Sequence, residues 1–544
     1  MSNASVSESE GYISGRMPEA SLESRGAKRW SAGLALLALL LFLGIALYGA
    51  VGLRGSDQYW YAGDVRMLNA TGRGVTNAIY PGAMLGPRHY SPADLPPFVH
   101  NQPATYAVAL LGRIVDPYRA WLLSNLALTL GTAALLLALG RRIVPPPFPA
   151  LTTALFLVFP FTVWLAINAL SDMQIAFGGV AFALGVQTMS ERRAGWGLLV
   201  AASSAAFLYW SRESFVLLLP ALAMFAFVQW RRKALSPLIG IAAIATLTVV
   251  FAARASVLPG YPHAGLGTAL MALTPSSPKG NMHPYYSYAP QAIDPPAVAL
   301  RIVRELGVSL VPNGLTELAT ETLVLVVAAI ALWGLRRDRE TAPLRFVIGT
   351  YFAIYFLTAI AFQSHNRYLY VLTPLVMLLA ARGLARRSSD APLARRLAPA
   401  LGVGALLVPL SFATAREYRV QALRERPMTA RLTADLAREE PPGRPLGAIA
   451  IVGTFSQQVT YAVAPRNVIA IDGAYMTPEQ GARLVTEWGA RLFLIPHDGR
   501  DAAPGHAYAA AVAARLGARL VPAPIPSVPT QRVTLEAWML RPGP

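Results

Sequence analysis

Runs of about twenty apolar residues recur along most of this chain, each long enough to cross a hydrocarbon core about 30 Å thick. In lipid every backbone polar group must be paired internally, so the repetition restricts the fold to a bundle of spanning helices. The runs fall at about 30–53, 118–140, 148–167, 172–190, 195–210, 214–229, 236–253, 318–335, 345–363, 368–385 and 397–414, about eleven in all. Composition agrees: 54% of residues are hydrophobic and 14% charged, with a mean hydropathy of +0.43. A soluble domain carries about 25% charged residues.

The positive charge has a pattern. Arg141-Arg142, Arg192-Arg193, Arg231-Arg232-Lys233, Arg336-Arg337, Arg386-Arg387 and Arg395-Arg396 occupy alternate connections between the apolar runs. Cytoplasmic loops are enriched in this way. A net charge of +18 therefore reflects orientation in a membrane, and nucleic acid is not expected as a partner. The N-terminus is then cytoplasmic, and an odd number of spans puts the C-terminus outside. The first run follows Arg25, Lys28 and Arg29. It is too long for the apolar core of a signal peptide, about 7–15 residues, and reads as a retained anchor. Residues 1–29 read as a cytoplasmic tail, and polar residues 1–24 are expected to be disordered. The absence of cysteine excludes disulfides, thiolate metal sites and a cysteine nucleophile. Arg far outnumbers Lys, a usage associated with GC-rich bacterial genomes, which makes the bacterial cytoplasmic (inner) membrane the expected location.

The spans are almost free of ionisable residues, and charge gathers instead at the outer surface. Asp57 and Asp64 directly follow the first run. Asn168 and Asp172 lie in one tight outer turn, Arg212 and Glu213 in another, and His365, Asn366 and Arg367 in a third. Charge near lipid is retained where it has a partner or a task, so a shared site is expected there. The alternative is that charges collect wherever spans meet water. Asp57 and Asp64, seven apart, would share a helical face, but a solvated amphipathic turn gives the same spacing. Two longer outer segments, 54–117 and 255–317, are placed to cover the site. The first is too irregular for one helix and ends in HNQPATYAVALLGRIV, with apolar residues at helical spacing and Arg113 on another face, as suits a helix lying in the interface. The second contains PKGNMHPYYSYAPQ and a short helix expected over 296–310.

Beyond the last run the text changes character. From about residue 440, LGAIAIVGT, NVIAIDG, RLFLIP, RLVPAPI and RVTLEAWML alternate with the helical patterns TPEQGARLVTEWGA and AYAAAVAARLGA. Thr477 suits an N-cap and Pro478 the first helical position. This predicts a small extracytoplasmic α/β domain within 415–544. His497-Asp498 reads as a surface turn.

A carboxylate at the outer surface can act as general base towards a hydroxyl, or hold a divalent cation with oxygen ligands. A nearby arginine can bind a phosphate bidentately. These parts suit attack on a group linked to a lipid phosphate.

Several stretches together resemble the GT-C membrane glycosyltransferases, with the aminoarabinose transferase and protein O-mannosyltransferase branches as the nearest comparison. They are the Tyr-rich segment around Asp57, HNQPATYAVALL, INALSDMQIAFGGVAFAL (Ile167 to Leu184), YWSRESFVLLLPALA (Tyr209 to Ala223) and HNRYLYVLTPLVMLLAARGL (His365 to Leu384). They occur in order over the membrane part, 30–414. The resemblance implies a polyprenyl-phosphate sugar donor, an extracytoplasmic acceptor (cell-envelope glycan, lipid or protein), an inverting reaction and a catalytic acid in the first outer loop, which Asp57 matches. Two departures stand out. Relatives often carry a second acid directly after the first, where this chain has Gln58. They often have a lysine before the prolines, where this chain has Asn101-Gln102-Pro103 after His100. Arg212 and Arg367 are then the candidates for the donor phosphate. Asp64, His100, Asn101, Gln102, Asp172, Glu213 and His365 complete the candidate site. No cofactor is called for, and a divalent cation stays open.

Membrane lipids are partners in either reading. A transporter or flippase is the alternative; it would need polar or ionisable groups near the bilayer midplane, and the runs lack charged centres, which argues against ion-coupled transport and leaves lipid flipping open.

Overall fold

The computed structural model describes residues 19–79, 90–96, 103–191, 194–211, 215, 218–231, 236–257, 296, 326–361, 372–387, 392–438, 447–453, 456–473, 476–497, 502–530 and 534–543. Apart from residue 296, the expected short helix at 296–310 lies outside the described residues, as does almost all of the segment 255–317. The helices of the membrane part are α1 (Glu19–Gly49), α2 (Ser56–Thr71), α3 (Pro103–Leu111), α4 (Pro117–Ile143), α5 (Phe148–Leu157), α6 (Pro160–Ile167), α7 (Asp172–Met189) and α8 (Ala194–Ser211). They continue with α9 (Leu218–Arg231), α10 (Pro237–Val257), α11 (Ala342–Ala361), α12 (Thr373–Arg387) and α13 (Leu393–Arg438).

Three helices among the described residues are long and apolar enough to cross a bilayer: α1 over Trp30–Gly49, α4, and α13 over Leu397–Asp435. A fourth span is made if α5 and α6 count as one. The chain is a membrane protein with a mostly helical fold. A single apolar core joins the bundle, with Phe42 of α1, Leu136 and Leu139 of α4, Phe148 of α5, Met173 of α7 and Leu378 of α12 all fully or nearly fully buried. Where α7 and α8 cross, Gly185 and Gly197 let the backbones meet: a Cβ on Gly197 would collide with the Met189 nitrogen, and one on Gly185 with that of Ala201.

Four expectations are corrected. The run 148–167 is not one straight helix but bends by 54° between α5 and α6, because Pro160 lacks the N–H that would carry the helix through. Helix α1 starts at Glu19, so residues 19–24 are helical rather than disordered; Glu, Ala and Leu favour helix and simply extend the span. The last span does not stop at 414. Helix α13 continues for 46 residues to Arg438, passing through Pro399, Pro409 and Pro427, because the polar text after Ala413 is otherwise rich in Ala, Arg, Leu and Glu, all good helix formers. Finally, α3 ends at Leu111, so Arg113 lies in the turn beyond it. Leu110 and Ile114 there are exposed.

Several arginine-bearing connections meet at one end of the bundle. Arg142 pairs with Glu191 at 2.7 Å. Arg382 of α12 bonds Asp338 at 3.0 Å, the Ile143 carbonyl at 2.8 Å and Glu340. Arg386 reaches the other oxygen of Asp338 at 3.3 Å.

At the opposite end of α13 sits a mixed sheet. Its strands are β1 (Ala78–Ile79), β2 (Ile449–Val452), β3 (Val468–Ile471), β4 (Leu492–Pro496), β5 (Ala518–Pro522), β6 (Val528–Pro529) and β7 (Thr534–Pro542), in the order β1-β3-β2-β4-β7-β5, with β6 on β7. The pairs β1–β3, β3–β2 and β2–β4 are parallel, in register Ala78↔Val468, Ile449↔Val468 and Ala450↔Phe493; β7 runs antiparallel to β4, β5 and β6. Side chains alternate between two faces. Ala450, Val452, Ile469, Phe493 and Ile495 pack under α15 (Pro478–Glu487) and α16 (Ala502–Arg515). Ile449, Ile451, Val468 and Leu494 face α14 (Gln457–Val463) and Leu432 at the end of α13. Thr477 caps α15 in a full capping box with Gln480, and Pro478 follows it. His497 is mostly exposed and pairs with Glu536. The edge strand β1 comes from the first outer segment, so that segment is stitched into the sheet.

Candidate functional site

The chain leaves α1 at Gly49 and turns through glycines before α2. Gly55, at φ 79°, stands at the N-cap position with no side chain to cap the helix. Its backbone N–H donates to the Glu425 carboxylate at 3.2 Å. Asp57 lies in the first turn of α2 and is half-buried. It is not the cap. A carboxylate there is favoured by the helix dipole.

Three aromatic residues then fix α2 from three sides. Tyr61 meets Ser171 through its hydroxyl at 3.1 Å, and its carbonyl accepts from Trp121 Nε1 of α4 at 3.2 Å. Tyr59 accepts from Thr429 of α13 at 3.2 Å and lies 5.5 Å from the Tyr461 ring of α14. Burial pushes the Tyr59 and Tyr461 hydroxyls above the usual phenol range. Trp60 faces the sheet side.

Gln58, beside Asp57, is the hub. Its amide nitrogen donates to Asn168 Oδ1. Its carbonyl oxygen accepts from the Tyr418 hydroxyl of α13 at 2.7 Å and lies 3.4 Å from the Ala169 and Arg54 nitrogens. Asn168 uses its own amide nitrogen on the Trp164 carbonyl. Asn125 of α4 clamps the same turn, donating to the carbonyls of Asn168 at 2.6 Å and Leu170 at 3.0 Å. Asp172, the first residue of α7, is buried directly after that turn. Ser211, the last residue of α8, lies 3.4 Å from Gln174, one half-turn further along α7.

The start of α2 with Asp57, the 168–172 turn with Asp172, and the end of α8 thus converge at the sheet-bearing end of the bundle. Arg54 adds positive charge there, 5.5 Å above the Tyr418 ring and 4.0 Å from Glu417. Asp64 is not brought to this turn. It lies two turns along α2, buried against β1 and α14. His100, Asn101, Gln102, Arg212, Glu213, His365 and Arg367 lie outside the described residues. Among the described residues, no group of three or more acidic or histidine side chains is placed to hold a metal ion.

Gln58, Asn125 and Tyr418 escape a search for charged turns because they carry no charge, whereas Arg54, directly after the first run, is within its reach. Asn125 carries a signal nonetheless: an amide inside an apolar span needs a polar partner. An amide suits position 58. The position needs a donor towards Asn168 and an acceptor towards Tyr418, which an amide supplies and a carboxylate does not.

Comparison with solved structures places this arrangement in a known architecture. The chain superimposes on ArnT from Cupriavidus metallidurans in its apo state with a TM-score of 0.58 at 14% identity, covering 94% of this chain and 98% of that one. The chain has the GT-C fold. ArnT bound to undecaprenyl phosphate gives 0.59 at 14% identity over 93% and 98%. The Archaeoglobus fulgidus oligosaccharyltransferase, in complex with Zn and sulfate, gives 0.53 at 12% identity over 85% of this chain and 68% of that one. No family model matches the chain, and no curated protein sequence matches it.

Proposed function

We propose that this protein is an integral membrane glycosyltransferase that moves a sugar from a polyprenyl-phosphate donor to an extracytoplasmic acceptor. One observation carries the reading: the half-buried Asp57 stands at the head of α2, held by Gln58 against the turn that leads to Asp172. That juxtaposition, within the GT-C fold, puts a carboxylate where the bundle meets the sheet. One fold relative is a complex with undecaprenyl phosphate, which supports a lipid-phosphate donor.

In this reading Asp57 takes the proton from the acceptor hydroxyl as it attacks the anomeric carbon. Configuration inverts, and the lipid phosphate leaves with the electron pair of the broken bond. Arg212 and Arg367 are assigned to that phosphate, with bidentate geometry as the reason for arginine. The membrane part spans about eleven times, and the sheet unit lies outside a bacterial inner membrane, as the alternation of arginine clusters requires.

The test uses purified full-length protein with a polyprenyl-phosphate sugar and a panel of hydroxyl acceptors. Release of free polyprenyl phosphate with a glycosylated acceptor supports the proposal. Lipid or sugar flux in liposomes, without transfer, would replace it by the transporter reading.

A further inference from the structure

Asp64 poses a separate problem, independent of the proposed transfer reaction. It is 1% exposed, and among the described residues neither carboxylate oxygen has a hydrogen-bond partner. Burial holds its carboxyl well above the usual carboxylate range. The nearest cation along the helix is already engaged: Arg66 donates to the Tyr461 carbonyl at 2.8 Å and lies 3.8 Å over that ring. A buried carboxylate with no donor must be neutralised, by a proton or by a counter-ion.

Asp64 lines a cavity between α2, the β1 strand and α14, of about 10 Å³. That is room for one water-sized occupant. Tyr59 and Trp60 also line it, the latter with an indole N–H that can only donate, and four further side chains on the wall supply oxygen. Asn77 commits both amide hydrogens, to the Thr460 carbonyl at 3.0 Å and the Arg466 carbonyl at 2.8 Å, which leaves its carbonyl oxygen for an occupant. Thr460 donates its hydroxyl hydrogen to the Ser456 carbonyl at 3.1 Å and keeps its lone pairs. Thr76 accepts from the Ala78 N–H at 3.1 Å and has a lone pair left. Gln457 completes the wall with an amide that can present its oxygen.

We propose that this cavity binds one dehydrated alkali cation, of the size of Na⁺, with Asp64 as its charged ligand and Thr76, Asn77, Gln457 and Thr460 as neutral ones. Hard oxygen donors select such ions over transition metals. Charge decides between monovalent and divalent: one carboxylate neutralises one positive charge, and a divalent ion would leave a net charge buried. Volume excludes an organic cation. The bound ion would join the helix that carries Asp57 to the sheet unit, since its ligands come from both.

The experiment follows thermal unfolding of the purified full chain by tryptophan fluorescence. Ionic strength is held constant with N-methylglucamine chloride, which Na⁺, K⁺ or Ca²⁺ partly replaces. The wild type should gain stability with Na⁺ as RT ln(1 + [Na⁺]/Kd), and the half-saturating Na⁺ (the Kd fitted to that curve) should rise by up to about tenfold per pH unit on acidification, because proton and ion compete for Asp64. Asp64→Asn should lose the Na⁺ response and the pH dependence. Should that variant fail to fold, Thr460→Val, which removes one neutral ligand, should shift half-saturation to higher Na⁺; an unchanged value would count against the site. A wild type indifferent to all three ions would overturn the proposal in favour of a protonated acid with one water. A response retained in Asp64→Asn would overturn it as non-specific, and a stronger response to Ca²⁺ than to Na⁺ would overturn the monovalent assignment.

Discussion

Replacing Gln58 by a glutamate changes one NH₂ group to an oxygen, and the structure sets both the size and the pH dependence of the result. At neutral pH the new carboxylate still accepts from Tyr418, but it faces Asn168 Oδ1 with no hydrogen to give. Asn168 cannot turn to help, because its amide nitrogen serves the Trp164 carbonyl. A buried acceptor without a donor costs about 1–3 kcal/mol, and a buried charge adds to that. The protonated form of the introduced side chain, in contrast, reproduces the amide: its hydroxyl donates to Asn168 and its carbonyl accepts from Tyr418. The folded protein therefore holds this proton more tightly than the unfolded chain does. The variant should match wild-type stability below about pH 4.3, the ordinary glutamate value, and lose about 1.36 kcal/mol per pH unit above it until the folded-state carboxyl ionises. A loss of about 3 kcal/mol at pH 7.5 corresponds to ionisation in the folded state near about pH 6.5. Thermal unfolding of wild type and Gln58→Glu from pH 5 to pH 8 measures this, with the wild-type curve subtracted. A difference that is flat with pH, or absent at pH 7.5, would refute the hub assignment.

Asp57→Asn should lower sugar transfer by about 10²–10⁴-fold, as loss of a general base does, while the near-isosteric amide keeps the chain folded. A well-folded variant with near wild-type turnover would remove Asp57 from the mechanism. Asp338→Asn should destabilise by about 1–3 kcal/mol, because Arg382 loses its buried carboxylate partner but keeps Glu340 and the Ile143 carbonyl; an unchanged unfolding midpoint would mark the pair as solvated. Gly197→Ala should cost about 1–3 kcal/mol by pushing α8 off the Met189 backbone, and unchanged stability would show that the two helices can separate freely.

The membrane part is legible where physics is local. Apolar length marks the spans in α1, α4 and α13, and Thr477-Pro478 marks the start of α15. The alternating apolar runs announce β2, β3 and β4. What stays hidden depends on partners far away in the chain. Ala78 and Ile79 form a strand only because β3 offers a parallel edge, and nothing within the segment 54–117 signals it. The continuation of α13 is masked by a change in composition, which marks a change of surroundings and not of backbone. Of the candidate site, Asp57 and Asp172 stand out as charges in the connections between apolar runs. Gln58 does not, since its role lies in two neutral hydrogen bonds. Asp64 looks equivalent to Asp57 from spacing alone, but the sheet unit that covers it is built largely from residues almost 400 positions later, among them Gln457 and Thr460.

The unbroken run of α13 has a consequence for how such a chain can vary. Over 46 residues it rises about 69 Å at 1.5 Å per residue, and each residue turns the helix by about 100°. Inserting or deleting one residue between its bundle contacts and Leu432 would swing the whole sheet unit by that angle about the helix axis. Strand β1 and the start of α2, tethered separately to the bundle, could not follow. The helix therefore fixes length as well as phase: a step of about seven residues nearly restores its angle but lifts the sheet unit by about 10 Å, which the same tethers forbid, whereas the surface loops of the sheet are free to grow by any number.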